Sequence, residues 1–298
     1  MEPKPTNLGS SLLVSSVQEL AKETLSKVPS LYVRLDQDPP IISKTTCLPE
    51  VPVIDLTNLF SEDFKEFELE KLRSACKNWG FFQIINHGVS PSLVEKVKTG
   101  NPIYSPQLPL PFRDTLESYS TEMKNLAIKI LDFIAESLKI DDNYIKDLFE
   151  EGLQMMRMNY YPPCPQPDLV IGLNHHSDAV CLTILLQVNE MEGLQIRKDG
   201  IWIPVKALPN AFIVNIGEIL EIMTNGIYQS IEHRATVNSE KERLSVATFY
   251  SPKVDGNIGP ATSLITPERP ALFKRIGVED YFKGLFSREL RDKSYLDV

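Results

Sequence analysis

Residues 228–250 read YQSIEHRATVNSEKERLSVATFY, two runs separated by the polar turn NSEK. Apolar and polar residues alternate along each run, which is the period-two signature of a half-buried β-strand. In the first run Ile231, His233, Ala235 and Val237 share one face, while Glu232, Arg234 and Thr236 share the other. In the second, Arg243, Ser245, Ala247 and Phe249 lie on a common face. A histidine grouped with apolar residues, followed by an arginine aimed into a β core, sets both the fold and the chemistry. Such an arginine is costly unless it meets an anion.

The same period extends upstream to Leu153. LQMMRMNYY (153–161), VCLTILLQV (180–188), LQIRKDG with IWIPVKAL (194–208) and AFIVNIG (211–217) read as short strands divided by turn residues. The Asp199-Gly200 pair marks a hairpin. Short strands at this spacing predict a jelly roll. Before Leu153 the period is helical: Phe112, Leu116, Tyr119, Met123, Leu126, Ile130 and Ile134 step by three or four residues along one apolar face. Helices are also predicted over 64–78, from 92 and over 141–151, with strands at VPVIDL (51–56) and FFQIIN (81–86). Near the N-terminus Val17, Leu20, Leu25 and Val28 recur at roughly helical spacing.

The predicted organisation is α+β. It runs from an N-terminal region (1–98) through an irregular, proline-rich junction (99–111) to a helical segment (112–151). A jelly-roll core (152–253) follows, then a C-terminal tail (254–298) with helix expected over 268–290.

The chain has 298 residues, 42% of them hydrophobic, enough for a core without staples. Lys and Arg number 31 against 40 Asp and Glu, a net charge of −9 that argues against nucleic acid or an anionic membrane as partner. Cys47, Cys76, Cys164 and Cys181 show no CxxC spacing, which suits a reducing compartment. With no apolar signal core at the N-terminus, a soluble cytoplasmic protein is expected.

Three of the four histidines lie in the β half, at His175, His176 and His233. In NHHSDAV, a strand would put His176 and Asp178 on one face, with Ser177 turned away. Joined by His233, they supply two imidazoles and one carboxylate, the ligand set that holds non-haem Fe(II) and leaves positions open. Arg243, with Ser245 as a hydroxyl donor, suits a carboxylate gripped bidentately. An iron triad beside a carboxylate receptor implies a chelating dicarboxylate, and 2-oxoglutarate has that shape. Each signal alone has a bland counterpart: a chance HxD, a hydrogen-bonded core histidine, an arginine paired with a structural carboxylate. Their joint occurrence on consecutive β segments is far more specific.

The chain resembles the plant 2-oxoglutarate- and Fe(II)-dependent dioxygenases, closest to the senescence-related and alkaloid O-demethylase-like group. The matching pieces are MNYYPPCPQP (158–167), GLNHHSDAVCLTILLQ (172–187), residues 192–249, and ACKNWGFFQIINHGV (75–89). The resemblance implies His176, Asp178 and His233 as iron ligands. It implies Arg243 and Ser245 as the RxS motif for the distal carboxylate of 2-oxoglutarate, with Asn159 and Tyr161 as further contacts. It also puts Phe249 near a small-molecule substrate. It implies Fe(II), 2-oxoglutarate and O2, supported by ascorbate, in the hydroxylation, desaturation or O-demethylation of a small plant metabolite. Cys164 and His87 lie within the shared signatures and read as structural; His175 reads as lying beside the ligands or at the surface.

One departure stands out. After about residue 98, roughly sixty residues that relatives carry are missing, replaced by TGNPIYSPQ. In the family that part supplies edge strands and one wall of the substrate pocket, so its loss is expected to expose a sheet edge. The alternative function is accordingly a catalytically impaired splice or gene-model variant without turnover. A third reading, zinc-dependent hydrolysis at the same triad, lacks an obvious general base.

Overall fold

The computed structural model describes residues 17–23, 25–36, 38, 41, 48–100 and 110–286. It opens with a short helix, α1 (Val17–Leu20). The predicted VPVIDL strand is β1 (Val53–Asp55), after which the Asp55 side chain accepts from the Thr57 N–H and caps α2 (Leu56–Leu59). Helix α3 (Lys65–Asn78) leads through Gly80, at φ 61°, into β2 (Phe81–Ile85). Helix α4 (Pro91–Thr99) follows; most of the predicted junction, 101–109, lies outside the described residues.

Helix α5 (Leu110–Leu138) buries the apolar face legible in its sequence, from Phe112 to Ile134. The shorter α6 (Asp142–Phe149) is capped by Asp141. The β half comprises β3 (Leu153–Tyr161), β4 (Leu173–His176), β5 (Leu182–Gln187), β6 (Leu194–Lys198), β7 (Ile201–Pro204) and β8 (Phe212–Ile216). Then come α7 (Glu218–Met223), β9 (His233–Ala235), β10 (Arg243–Ser251), β11 (Asn257–Ile258), β12 (Ile276–Gly277) and α8 (Val278–Phe286).

Two sheets enclose the core as a double-stranded β-helix, the jelly roll. The larger has the order β1-β2-β8-β5-β10-β3, antiparallel except between β1 and β2; the smaller is β4-β9-β6-β7. The β6–β7 hairpin turns at Asp199 and Gly200, both at positive φ (51° and 79°), as a tight Asp-Gly turn requires. On β10, Val246, Thr248 and Tyr250 are buried on the side that meets the helices, where Val246 and Tyr250 join Ile130, Ile134 and Leu186 in one apolar cluster. The opposite face carries Arg243, Ser245, Ala247 and Phe249 toward the space between the sheets. A second cluster lies there, with Phe81, Leu185, Leu194, Ile196 and Ile213.

Four expectations are corrected or limited. The tail is not helical from 268: Pro270 cannot sit in a helix interior, Ile276–Gly277 pairs with β11, and the helix begins only at Val278. YQSIEHRATV pairs as a strand only at His233–Ala235, because its partners β4 and β6 are themselves short. In NHHSDAV the strand stops at His176, leaving Asp178 in the following turn. The apolar spacing from Val17 to Val28 yields a helix only as far as Leu20.

Strand β3 pairs only with β10 among the described residues, so its other edge is unpaired there. Leu153 and Met155 on this edge are 44% and 60% exposed, in line with the expectation of an uncovered sheet.

Candidate metal centre and co-substrate site

The potential metal ligands come from three pieces of backbone at one end of the sandwich. His176 ends β4, Asp178 follows in the turn, and His233 begins β9, directly opposite His176 in the antiparallel register. The Nε2 atoms of His176 and His233 lie 3.6 and 3.7 Å from Asp178 Oδ1, and the ligand atoms all fall within 4.8 Å of one another. The alternation argument for His176 and Asp178 thus named a pair that the structure brings together, but by another route. A turn, not a strand face, brings the carboxylate round.

Each ligand is oriented by a partner. His176 Nδ1 donates to the Asn174 carbonyl (2.7 Å) and His233 Nδ1 to that of Ile231 (3.2 Å), which leaves both Nε2 lone pairs facing inward. Asp178 Oδ2 accepts from Thr183 Oγ1 (2.6 Å) and Asn215 Nδ2 (2.8 Å), so Oδ1 is the oxygen left toward the histidines. Burial opposes the charge on Asp178, but His233, His176, Thr183 and Asn215 outweigh it and hold the acid well below the usual carboxylate range. Burial likewise pushes His233 down toward the neutral form that binds a metal. At the less buried His176, the carboxylate and the Asn174 carbonyl overcome that penalty and raise the pKa.

Thr183 and Asn215 escaped the sequence reading, although each is a lone polar residue in an apolar run, LTILL (182–186) and FIVNI (212–216). A buried polar side chain needs a partner, and that was the available signal. The turn carrying Asp178 is itself clamped. The Glu218 N–H donates to the Asp178 carbonyl (2.8 Å), and Ser177 Oγ donates to the Glu218 carboxylate (2.5 Å). From α8, Tyr281 donates to the Ala179 carbonyl (2.9 Å). Gly217 comes so close that a Cβ there would sit 2.0 Å from the Val180 oxygen, so no larger residue fits without moving the turn.

Arg243, Ser245, Asn159, Tyr161 and Phe249 line the same cavity of about 70 Å³ as the triad. The β10–β3 register sets Arg243 opposite Tyr161 and Ser245 opposite Asn159, whose Nδ2 donates to Ser245 Oγ at 3.4 Å. Arg243 is 2% exposed; its guanidinium lies 5.3 Å from the Tyr161 ring centroid and makes one long contact, 3.4 Å, to Gln187. Its Nε has no partner, and no carboxylate among the described residues pairs with it. Burial accordingly lowers its pKa, partly offset by Tyr161. A buried guanidinium with an orphaned donor fits an anionic ligand better than a structural pair.

The remaining histidines are peripheral. His175 points outward to Glu232, which also holds Arg197. His87 packs on Phe212 and bonds the Asn210 carbonyl, a structural role like that read for it. Arg234, on the face opposite His233, is nevertheless 1% exposed: it stacks on Trp202 and bonds Gln195 and the Asp38 carbonyl.

Comparison with known proteins matches residues 152–252 to the 2OG-Fe(II) oxygenase superfamily and 51–101 to the N-terminal region of non-haem dioxygenases in morphine synthesis. The chain is 48% identical over 347 residues to oxoglutarate-dependent flavonoid 7-O-demethylase 1 of Ocimum basilicum, covering 98% of this chain and 92% of that protein. The chain belongs to the 2OG-Fe(II) oxygenase superfamily. It is equally 48% identical to codeine O-demethylase of Papaver somniferum, with 97% of each chain covered. Among solved structures, that of JOX2 in complex with 2OG, Fe and JA superposes with a TM-score of 0.83 at 30% identity, covering 94% of this chain and 96% of that one.

This 2OG-Fe(II) oxygenase therefore uses Fe(II), 2-oxoglutarate and O2 on a small plant metabolite, with His176, Asp178 and His233 as the facial triad typical of the class. No helix among the described residues is long and apolar enough to cross a membrane. The alignment with protein SRG1 of Arabidopsis thaliana spans 355 positions and all of this 298-residue chain, so at least 57 positions face no residue here.

Proposed function

We propose that the enzyme removes a methyl group from an aryl methyl ether of a plant metabolite, by the C–H oxidation that would equally serve hydroxylation or desaturation. The observation that carries the reading is the shared cavity of the triad and the unpaired, buried Arg243. The names of the two 48%-identical relatives direct it to O-demethylation. His176, Asp178 and His233 hold Fe(II) on one side, leaving the others for co-substrate and O2. Arg243 grips the distal carboxylate of 2-oxoglutarate, with Ser245, Asn159 and Tyr161 around it, and Phe249 borders the substrate. Bound there, Fe(II) with 2-oxoglutarate and O2 supplies an oxidant that takes hydrogen from the methyl group. The balance is one ether, one O2 and one 2-oxoglutarate giving phenol, formaldehyde, succinate and CO2.

The protein's share is positional. Thr183 and Asn215 fix the carboxylate, two backbone carbonyls fix the imidazole tautomers, and Arg243 sets the angle of the co-substrate. A second reading, a family member without turnover, is favoured by the β3 edge left unpaired among the described residues and by the missing positions. The test separates them. Fe(II) and then 2-oxoglutarate are added without oxygen, and the visible charge-transfer band is followed. After oxygenation with methoxylated aromatics, formaldehyde and succinate are counted. Equimolar formation supports demethylation; a band with succinate but no formaldehyde moves the reading to hydroxylation or desaturation. Failure of a folded sample to give the band supports the form without turnover.

A further inference from the structure

Asp178 sits in a turn that belongs to no strand, and the backbone around it is held by two residues remote in sequence, Glu218 on α7 and Tyr281 on α8. The Glu218 N–H donates to the Asp178 carbonyl (2.8 Å), while its carboxylate accepts from Ser177 Oγ (2.5 Å), on the residue between two members of the triad. Tyr281 is fully buried and donates to the Ala179 carbonyl (2.9 Å); the same hydroxyl lies 3.3 Å from Glu218 Oε2. Glu218 thus touches both the ligand turn and the C-terminal helix, with one oxygen toward Ser177 and the other toward Tyr281.

Helix α8 depends on such contacts. Its nine residues are too few for a helix to stand alone in water. Only Val278 and Tyr281 among its side chains are buried, and the Val278 N–H reaches back to the Gly256 carbonyl. A short element held by two buried side chains belongs to the part of a fold that opens first. One of those two, Tyr281, commits its hydroxyl to the ligand turn. A metal bound by His176, Asp178 and His233 restrains that turn from the other side. Whatever fixes the turn for the metal therefore also fixes the acceptors for Tyr281, and the converse holds.

We propose that Glu218 is a positioning residue for the triad and that, through Glu218 and Tyr281, metal occupancy and the docking of α8 are coupled. The inference rests on the triad reading above and extends it to a helix none of whose residues lines the cavity. Loading the site tightens α8, and loosening α8 lowers metal affinity by the same factor.

The test compares the full chain loaded with Mn(II) and the metal-free protein in chelator. Hydrogen exchange over residues 278–286 is followed by mass spectrometry, and Mn(II) affinity by titration of its electron-spin-resonance signal. In the wild type, exchange in α8 is expected to slow about tenfold at saturating metal. Ser177→Ala, Glu218→Gln and Tyr281→Phe should each weaken Mn(II) binding about tenfold and shrink the metal-dependent slowing of α8 by the same factor. Ser177→Thr keeps the hydroxyl and should restore both. Ser177→Ala leaves the Glu218 charge in place, so it separates the hydrogen-bonded chain from simple attraction of a carboxylate for a cation. Exchange in α8 that ignores metal loading of the wild type overturns the proposal. So does weaker binding in Glu218→Gln alone, with Ser177→Ala and Tyr281→Phe at the wild-type affinity. Variants that lower thermal stability but keep full metal affinity overturn it too, because that is the mark of a purely structural contact. If the wild type does not bind one Mn(II) per chain, the triad reading fails first, and this inference falls with it.

Discussion

Replacing Arg243 with methionine should move stability and co-substrate binding in opposite directions. The guanidinium is 2% exposed, its Nε is unpaired, and its one side-chain contact to Gln187 is 3.4 Å long. Without ligand it is a buried charge with poor compensation, costing several kcal/mol in such settings, and an unbranched apolar chain of similar length removes that cost. Allowing for the vacancy left by the smaller tip, the apo protein should gain about 1–3 kcal/mol, or roughly 2–4 °C in Tm for each kcal/mol in a chain of this size. For 2-oxoglutarate the sign reverses: losing a buried charge pair costs about 2–5 kcal/mol, which is roughly 30- to several-thousand-fold in Kd. A thermal-shift assay with Mn(II) reads both effects. Wild type should rise with 2-oxoglutarate by ligand linkage, about 2.7 kcal/mol at a hundredfold excess over Kd. The variant should start higher and not respond. An apo Tm that falls by several degrees while the 2-oxoglutarate shift persists would refute the reasoning and make Arg243 a structural residue.

Four further outcomes follow from the same geometry. Asp178→Ala removes the anionic ligand, and metal analysis after Fe(II) loading should find substoichiometric iron; unchanged stoichiometry rejects the triad. Thr183→Val keeps the side chain's shape but frees Asp178 Oδ2 on one side, and Fe(II) affinity should weaken about 10- to 100-fold, measured by competition with a chelator. Tyr281→Phe deletes the bond to the Ala179 carbonyl and should cost about 1 kcal/mol in urea unfolding; no change would mean that α8 does not brace the ligand turn. Leu153→Lys places a charge on the exposed edge of β3, unpaired among the described residues, and should slow light-scattering growth on concentration without altering the charge-transfer band.

Much of the site was legible because strand alternation is a local rule. The facing of Arg243, Ser245 and Phe249 followed from period two alone, and the face of α5 from Phe112 to Ile134 followed from period 3.6. Alternation failed where the strand ended. Nothing local to NHHSDAV says that the chain leaves β4 at His176, because the turn is held by Glu218 and Tyr281, both remote in sequence. The helix expected from 268 failed for a similar reason, since the pairing of Ile276–Gly277 with β11 is a contact between distant segments.

By itself the sequence singled out the candidate side chains: two histidines, an aspartate and an inward arginine, on consecutive β segments. Tertiary structure alone decided how they become a site. It chose the Asp178 oxygen that faces the histidines by binding the other with Thr183 and Asn215, and fixed both imidazole tautomers through backbone carbonyls. It also left Arg243 without a counter-charge among the described residues. Residue identity and periodicity are properties of the chain, but a hydrogen-bond partner or a missing counter-ion depends on segments that meet only after folding.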